Sequence, residues 1–167
     1  MVTHRLGWLD PVFVGLSWLG SYGLVWLALA ALGAAVWRRP QLLLLVGAAD
    51  LAAEFGSLGL RHAIGRPRPP LRFPDPEPLV GVSSTPSFPS GHATTSFACA
   101  VLLASAAPRL AVPLIGLAAA ISLSRVYVGV HYPLDVVGGA ALGIVLATAL
   151  RLLAGGRRRS PRARRAG

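Results

Sequence analysis

Residues 110–150 read LAVPLIGLAAAISLSRVYVGVHYPLDVVGGAALGIVLATAL, and this stretch decides the fold. It contains two long apolar runs separated by a short polar link. An α-helix rises about 1.5 Å per residue, so roughly 20 apolar residues suffice to cross bilayer hydrocarbon about 30 Å thick. We therefore predict two transmembrane helices, over 110–128 and 134–153.

The same pattern continues towards the N-terminus. Apolar runs predict further helices over 21–37, 41–60 and 91–107, and residues 1–20 are expected to lie at the membrane interface. Residues 61–90 hold eight of the fourteen prolines and predict an irregular polar loop. The predicted fold class is an all-α integral membrane bundle of about five transmembrane helices. It forms one membrane-embedded domain, 1–154, followed by a basic disordered cytoplasmic tail, 155–167.

Composition supports a membrane protein over a water-soluble one. The 167 residues are 54% hydrophobic and 13% charged, with a mean hydropathy of +0.61. The net charge of +10 does not predict nucleic-acid binding, because the arginines are confined to the tail and to the gaps between apolar runs. Cys99 is the only cysteine, which excludes an intrachain disulfide and a thiolate metal cluster.

The arginines also predict the orientation of the chain in the membrane, because cytoplasmic segments are enriched in them. All 16 basic residues are Arg, which with abundant Ala, Gly and Pro indicates a GC-rich bacterial genome. One side of the predicted bundle carries Arg38, Arg39, Arg109, Arg151 and the six arginines of the tail. The other carries Arg5, Arg61, Arg66, Arg68, Arg72 and Arg125. The first side is expected to be cytoplasmic, in a multi-pass protein of the bacterial inner membrane.

Three polar motifs follow or precede the predicted helices, and the helix assignment brings them to one membrane face. They are Arg61-His-Ala-Ile-Gly-Arg-Pro-Arg-Pro69, Pro89-Ser-Gly-His92, and Ser124-Arg125 with His131 and Asp135. This face lies opposite the arginine-rich one, so the motifs are expected to face the periplasm or exterior.

The residue types in these motifs suit a phosphate group. Arginine supplies positive charge and a planar fork of donors, and a helix N-terminus adds free backbone N–H groups. A glycine there lets the anion approach the backbone closely. The candidate phosphate-binding residues are Arg61, Arg68, Ser90, Gly91 and Arg125.

Two histidines and a carboxylate are the candidates for chemistry. Pro133 suits the first position of a helix, which puts Asp135 in the first turn, where its carboxylate can reach the ring of His131. With one ring nitrogen held, the other can attack phosphorus. His92 would protonate the leaving alkoxide and then activate water. The arginines neutralise charge, so neither a metal nor another cofactor is predicted.

The remaining charged and histidine side chains near the motifs are candidates for supporting or structural roles. Asp50 and Glu54 share one face of a helix and should face the bundle interior, since charges are costly within a membrane. Glu54 is predicted to help orient the arginines, with binding to backbone or water as the alternative. Arg66 is a second candidate for a supporting role, with an anchoring role as the alternative. His4 and His62 are predicted to be structural.

The motifs Arg61-x6-Arg68-Pro69, Pro89-Ser-Gly-His92 and Ser124-Arg125-x5-His131-x3-Asp135 resemble the signature of the type-2 phosphatidic acid phosphatase superfamily. The resemblance spans residues 61–135. It implies a helical bundle, metal-independent hydrolysis of a phosphomonoester or diphosphate, His131 as nucleophile with Asp135 as its partner, and His92 as acid and base.

This chain departs from the family's pattern in two respects. The family usually has Lys at the place of Arg61, and many of its membrane members have six crossings rather than the five predicted here.

The sequence thus predicts a membrane lipid phosphatase that acts through a phosphohistidine. Its partners would be membrane lipids and a lipid phosphate substrate, with the polyprenyl phosphate or diphosphate type favoured. Phosphatidic acid or phosphatidylglycerol phosphate is the alternative substrate. A non-hydrolytic protein that binds lipid headgroups is the alternative from another class, and a vanadate-dependent haloperoxidase is a further rival because those enzymes share the motif arrangement.

Overall fold

The computed structural model describes residues 5–156, and all regular secondary structure in this range is helical. Seven α-helices follow one another: α1 (Asp10–Leu19), α2 (Leu24–Val36), α3 (Pro40–Ile64), α4 (Pro69–Arg72), α5 (Gly91–Ala106), α6 (Ala111–Tyr127) and α7 (Pro133–Gly156). Short 3₁₀ turns precede α1, α2 and α6. The prediction of an all-α bundle is confirmed over the described residues.

Helix α5 lies at the centre of the bundle, packed against α3, α6 and α7. Most of its side chains are buried, and it is formed largely of small residues such as Ala93, Ala98 and Ala100. Gly139 and Gly143 on α7 permit the closest of these contacts, because a Cβ at either position would overlap backbone oxygens of α5. Small residues at such positions let two helix backbones approach each other closely.

Three helical segments of the described range are long and apolar enough to cross a membrane: Pro40–Arg72, Pro108–Tyr127 and Pro133–Ala154. The segments Gly7–Leu19 and Ser21–Val36 pass the same test as a pair bent by 58°. Helix α5, with 16 residues, is shorter, and neighbouring helices enclose it. Each of the five predicted segments is helical in the structure.

The helix ends differ from the prediction at two places that matter for the site. Helix α3 continues past residue 60 to Ile64, and Gly65 with φ 66° ends it, so Arg61 lies in its last turn. A positive φ is accessible to glycine without steric cost, which makes it a common helix terminator.

The first predicted crossing helix begins three residues late, at Leu24, because Tyr22 and Gly23 both have positive φ and break the chain between α1 and α2. Within the predicted interfacial segment 1–20, the structure forms α1 (Asp10–Leu19), which packs against α6. His62 is exposed near the end of α3. His4 and the predicted tail lie outside the described residues, except that 155 and 156 end α7.

Candidate active site

The three motifs meet around one cavity of about 590 Å³. The helices bring them there from residues far apart in sequence: the end of α3, the start of α5, and the link between α6 and α7. The motif residues in its lining are Arg61, Arg68, Gly91, His92, Arg125 and His131. Two imidazoles and three guanidinium groups therefore face the same space.

His131 is held in one orientation by its neighbours. Its Nδ1 lies 3.4 Å from Oδ2 of Asp135, and its Nε2 lies 3.2 Å from Nη1 of Arg68. The pKa of His131 is lowered to about 4, chiefly by burial and also by the charges of Arg68 and Arg125, while the contact with Asp135 acts to raise it. The imidazole is thus neutral at neutral pH. With the Nδ1 proton directed at Asp135, Nε2 carries the lone pair.

Asp135 is fully buried and has three contacts that fix its carboxylate. Besides the ring of His131, Oδ2 accepts a hydrogen bond from the backbone N–H of Tyr132 at 2.9 Å. Oδ1 accepts one from Nη1 of Arg66 at 2.9 Å, and the guanidinium of Arg66 stacks over the ring of Tyr132, 4.2 Å from its centre. Arg66 therefore contacts the carboxylate behind His131.

Arg61 and Arg68 are both buried and share one partner, Thr85 in the loop before α5. The Thr85 hydroxyl accepts from Nη1 of Arg61 at 3.4 Å and from Nη2 of Arg68 at 3.3 Å. The Thr85 carbonyl accepts from Nε of Arg68 at 2.8 Å. Arg61 also donates to Ser57, one turn earlier on α3, at 2.8 Å. The loop residue thus holds two positive side chains side by side.

Arg125, the third arginine, is held by helix α1. Its Nη1 donates to the hydroxyl of Ser17, which is 2% exposed. Gly20 lies one turn further along, against Ile121 of α6 and the ring of His92. A Cβ at Gly20 would overlap Ile121 and would lie 3.2 Å from Cδ2 of His92. The segment predicted to be interfacial thus forms one wall of the site.

The Pro89-Ser-Gly-His92 motif occupies the start of α5. Gly91 allows the guanidinium of Arg61 to lie against the backbone, since a Cβ there would overlap Nη2 of Arg61. Ser90 is fully buried; its backbone N–H donates to the carbonyl of Asp135 at 2.9 Å. Nε2 of His92 and Oγ of Ser90 are buried and have no hydrogen-bond partner among the described residues.

The carboxylates of α3 also reach the cavity. Asp50 and Glu54 both line it. Asp50 packs against Gly23 at the N-terminal end of α2, where a Cβ would overlap the carboxylate. Within residues 5–156, Glu54 forms no ion pair shorter than 4 Å with an arginine. No direct contact with an arginine in this range therefore supports the predicted role of Glu54 in orienting the arginines.

The sequence motifs did not include Ser17, Ser57 or Thr85, although each contacts an arginine of the site. Ser57 could have been found, because it precedes Arg61 by one helical turn. Ser17 is a hydroxyl residue in a largely apolar segment, and Thr85 is one of several hydroxyl residues in its loop, so nothing in the sequence singles out either one. Only the packing of α1 and of the loop brings them near the arginines.

Known proteins resemble this chain in sequence and in fold. A family model described as the PAP2 superfamily matches residues 41–159. The chain is 38% identical over 151 residues to decaprenylphosphoryl-5-phosphoribose phosphatase of Mycobacterium tuberculosis, covering 87% of this chain and 81% of that protein.

Two solved structures also resemble the chain, each with 27% sequence identity. The transmembrane PAP2-type phosphatidylglycerolphosphate phosphatase of Bacillus subtilis has a TM-score of 0.75, over 96% of this chain and 83% of that one. LpxE of Aquifex aeolicus has a TM-score of 0.78, over 89% and 88%.

Proposed function

The chain belongs to the PAP2 superfamily, and from this premise we propose that it hydrolyses the phosphate of a membrane lipid with His131 as nucleophile. The chain is a membrane phosphatase by its family and its relatives. The observation that carries the catalytic assignment is that His92, His131 and three arginines line one cavity.

The first step is attack of Nε2 of His131 on phosphorus. The new N–P bond forms as the bond from phosphorus to the leaving oxygen breaks, and His92 gives that oxygen a proton. Asp135 stabilises the positive charge that develops on the ring of His131. His92 then removes a proton from water as the water attacks the phosphohistidine, which releases phosphate and restores both histidines.

Binding of the substrate favours protonation of the His92 imidazole. The guanidinium groups of Arg61 and Arg125 disfavour a proton on this buried ring, and a bound phosphate dianion would counter their charge. The proton needed by the leaving group is thus present when the substrate is bound. Arg61, Arg68 and Arg125, with the backbone at Gly91, would hold the phosphate oxygens, and Ser90 would support that backbone.

The cavity also suits a substrate with its hydrocarbon chain in the bilayer. Trp18, Tyr22 and Leu51 line it and are 69%, 86% and 60% exposed, so one wall consists of side chains that also face outwards. The name of the mycobacterial relative supports a polyprenyl type of lipid. Arginine counts support a site that faces the periplasm or exterior, with the tail in the cytoplasm of a bacterial cell.

Phosphate release by the purified protein from lipid phosphates in detergent tests this proposal. We expect the His131→Ala variant to lose roughly a thousandfold or more in kcat, because the covalent step needs the imidazole. His62→Ala, which changes an exposed histidine near the end of α3, is the matched control and should keep its activity. Equal phosphate release by wild type and His131→Ala would overturn the assignment. Lipid binding without phosphate release would favour the headgroup-binding alternative.

A further inference from the structure

The segment Arg66-Pro67-Arg68 places two arginines against one histidine–carboxylate pair. Nη1 of Arg68 lies 3.2 Å from Nε2 of His131, at the reacting end of the imidazole. Nη1 of Arg66 donates to Oδ1 of Asp135 at 2.9 Å, on the side of the carboxylate away from the ring. A proline follows each arginine and favours extended backbone there, and Arg68 is extended with ψ 155°. Residues two apart in an extended segment lie on one side, about 6.6 Å apart, so the two guanidinium groups can contact opposite ends of the pair.

The backbone of this segment is held by Ser87, in the loop before α5. The backbone N–H of Ser87 donates to the carbonyl of Arg66 at 2.8 Å, and its hydroxyl donates to the carbonyl of Pro67 at 3.4 Å. Ser87 is fully buried, and a hydrogen bond shielded from water is electrostatically stronger. The guanidinium of Arg66 stacks over the ring of Tyr132. Arg66 is thus fixed both at its backbone and at its side chain.

The buried carboxylate of Asp135 needs a positive partner, and His131 does not supply one before the reaction begins. Asp135 is fully buried, and a buried carboxylate without a partner is strongly disfavoured. The pKa of His131, lowered to about 4 chiefly by burial, leaves its imidazole neutral at neutral pH. Within residues 5–156, Arg66 is the one arginine that forms an ion pair with Asp135 shorter than 4 Å. Its charge therefore compensates the carboxylate until the ring of His131 becomes positive.

The same ion pair limits how the carboxylate of Asp135 can turn. Oδ1 is bound by Arg66, and Oδ2 accepts from the backbone N–H of Tyr132 at 2.9 Å. Oδ2 is thereby kept towards Nδ1 of His131, 3.4 Å away. A carboxylate that turned away would leave the Nδ1 proton without its acceptor, and the ring would no longer be restricted to the tautomer with a lone pair on Nε2. Attack on phosphorus depends on that orientation.

We propose that Arg66 is a positioning residue for the nucleophile, because it holds the Asp135 carboxylate that fixes the tautomer and orientation of His131. This inference rests on the proposed function and extends its mechanism. Arg66 is not part of the cavity lining, so it acts on the reaction through Asp135 and not through the phosphate. The two arginines of the segment then have separate tasks. Arg68 faces the phosphate, and Arg66 supports the pair behind the reacting nitrogen.

Steady-state kinetics of phosphate release in detergent test this inference, with dioleoyl phosphatidic acid and farnesyl diphosphate as substrates. Arg66→Met keeps an unbranched side chain over Tyr132 and removes the charge and the donors. We expect kcat to fall about tenfold to a hundredfold, because a hydrogen bond between charged groups is lost. KM should stay within about twofold of wild type, because the phosphate contacts remain. Arg66→Lys retains a positive charge and should lose less kcat than Arg66→Met.

Arg72→Met is the matched control, since Arg72 is an exposed arginine at the end of α4, and its kcat and KM should equal those of wild type. Arg66→Gln also removes the charge and replaces Arg66→Met in every measurement if the methionine variant does not fold. A folded, uncharged Arg66 variant with wild-type kcat would overturn the inference. A rise in KM without a fall in kcat would also overturn it, because Arg66 would then act on the phosphate itself.

A double-mutant cycle on thermal unfolding tests the contact without relying on activity. Arg66→Met should lower Tm by about 5 °C or more, because it leaves the buried carboxylate of Asp135 without a positive partner. In the Asp135→Asn background that charge is absent, so the same substitution should lower Tm by less than about 2 °C. Equal shifts in the two backgrounds would contradict the inference. Failure of the wild type to release phosphate from either lipid would instead count against the proposed function, whatever the thermal cycle shows.

Discussion

The Thr85 hydroxyl accepts hydrogen bonds from Arg61 and Arg68, so one loop residue helps to position two of the three guanidinium groups that face the cavity. Thr85→Val has nearly the same shape and removes the hydroxyl, while the carbonyl that holds Nε of Arg68 remains. We expect kcat/KM for phosphate release to fall about tenfold, since bonds to charged groups are worth more than neutral ones.

Thr85→Ser keeps the acceptor and is the control for this prediction. Its kcat/KM should stay within about twofold of wild type, because both arginines retain their partner. If the valine and serine variants lose activity equally, the hydroxyl has no part in positioning Arg61 and Arg68.

The sequence predicts the charged and nucleophilic groups of the site, and Asp135 as the partner of His131, but not the hydroxyl residues that contact the arginines. These groups belong to motifs whose residue spacing limits their possible chemical roles: Arg61, Arg68, His92, His131 and Asp135. Their partners Ser17 and Thr85 are common residues, and a hydroxyl gains significance only from the tertiary contact it makes. Many hydroxyl residues in the chain could have made the same contacts, so only the folded structure shows which of them do.

At the scale of elements, helix α1 is the least expected component of the site. Gly20→Ala should push α1 away from α6, because the new Cβ would overlap Ile121. Arg125 would then lose Ser17, and we expect KM in the phosphate-release assay to rise about tenfold.

Gly15→Ala is the matched control on the same helix, since a Cβ at Gly15 meets nothing within 4 Å. This variant should keep the wild-type KM. A normal KM in Gly20→Ala would show that α1 has no influence on the phosphate site.

Most elements could be predicted from apolar run length, because a bilayer demands helices of a minimum length. The positions of two helix ends could not be predicted from the sequence. The break before α2 depends on Tyr22 and Gly23 taking left-handed conformations. Helix α3 passes through residues 61–64, which resemble a polar loop in sequence, because its last turn packs Arg61 against Gly91.

At the scale of the whole molecule, the distribution of arginines predicts which side of the membrane the site faces, and this orientation can be tested. Cys99 is fully buried, so cysteines introduced at exposed sites can be labelled against a low background. We expect a membrane-impermeant maleimide to label Asp75→Cys in intact cells, and Arg109→Cys only after the membrane is permeabilised. Labelling in the reverse order would show that the site faces the cytoplasm.

The close packing of α5 against α7 at Gly139 and Gly143 also has a mechanical consequence. Lipid-facing helices tilt when the thickness of the surrounding bilayer changes. His92 is on α5, and His131 lies two residues before the start of α7, so the two reacting groups are carried by helices whose backbones touch. Tilting of the pair would carry both imidazoles together, which would keep their separation constant in thin and thick membranes alike.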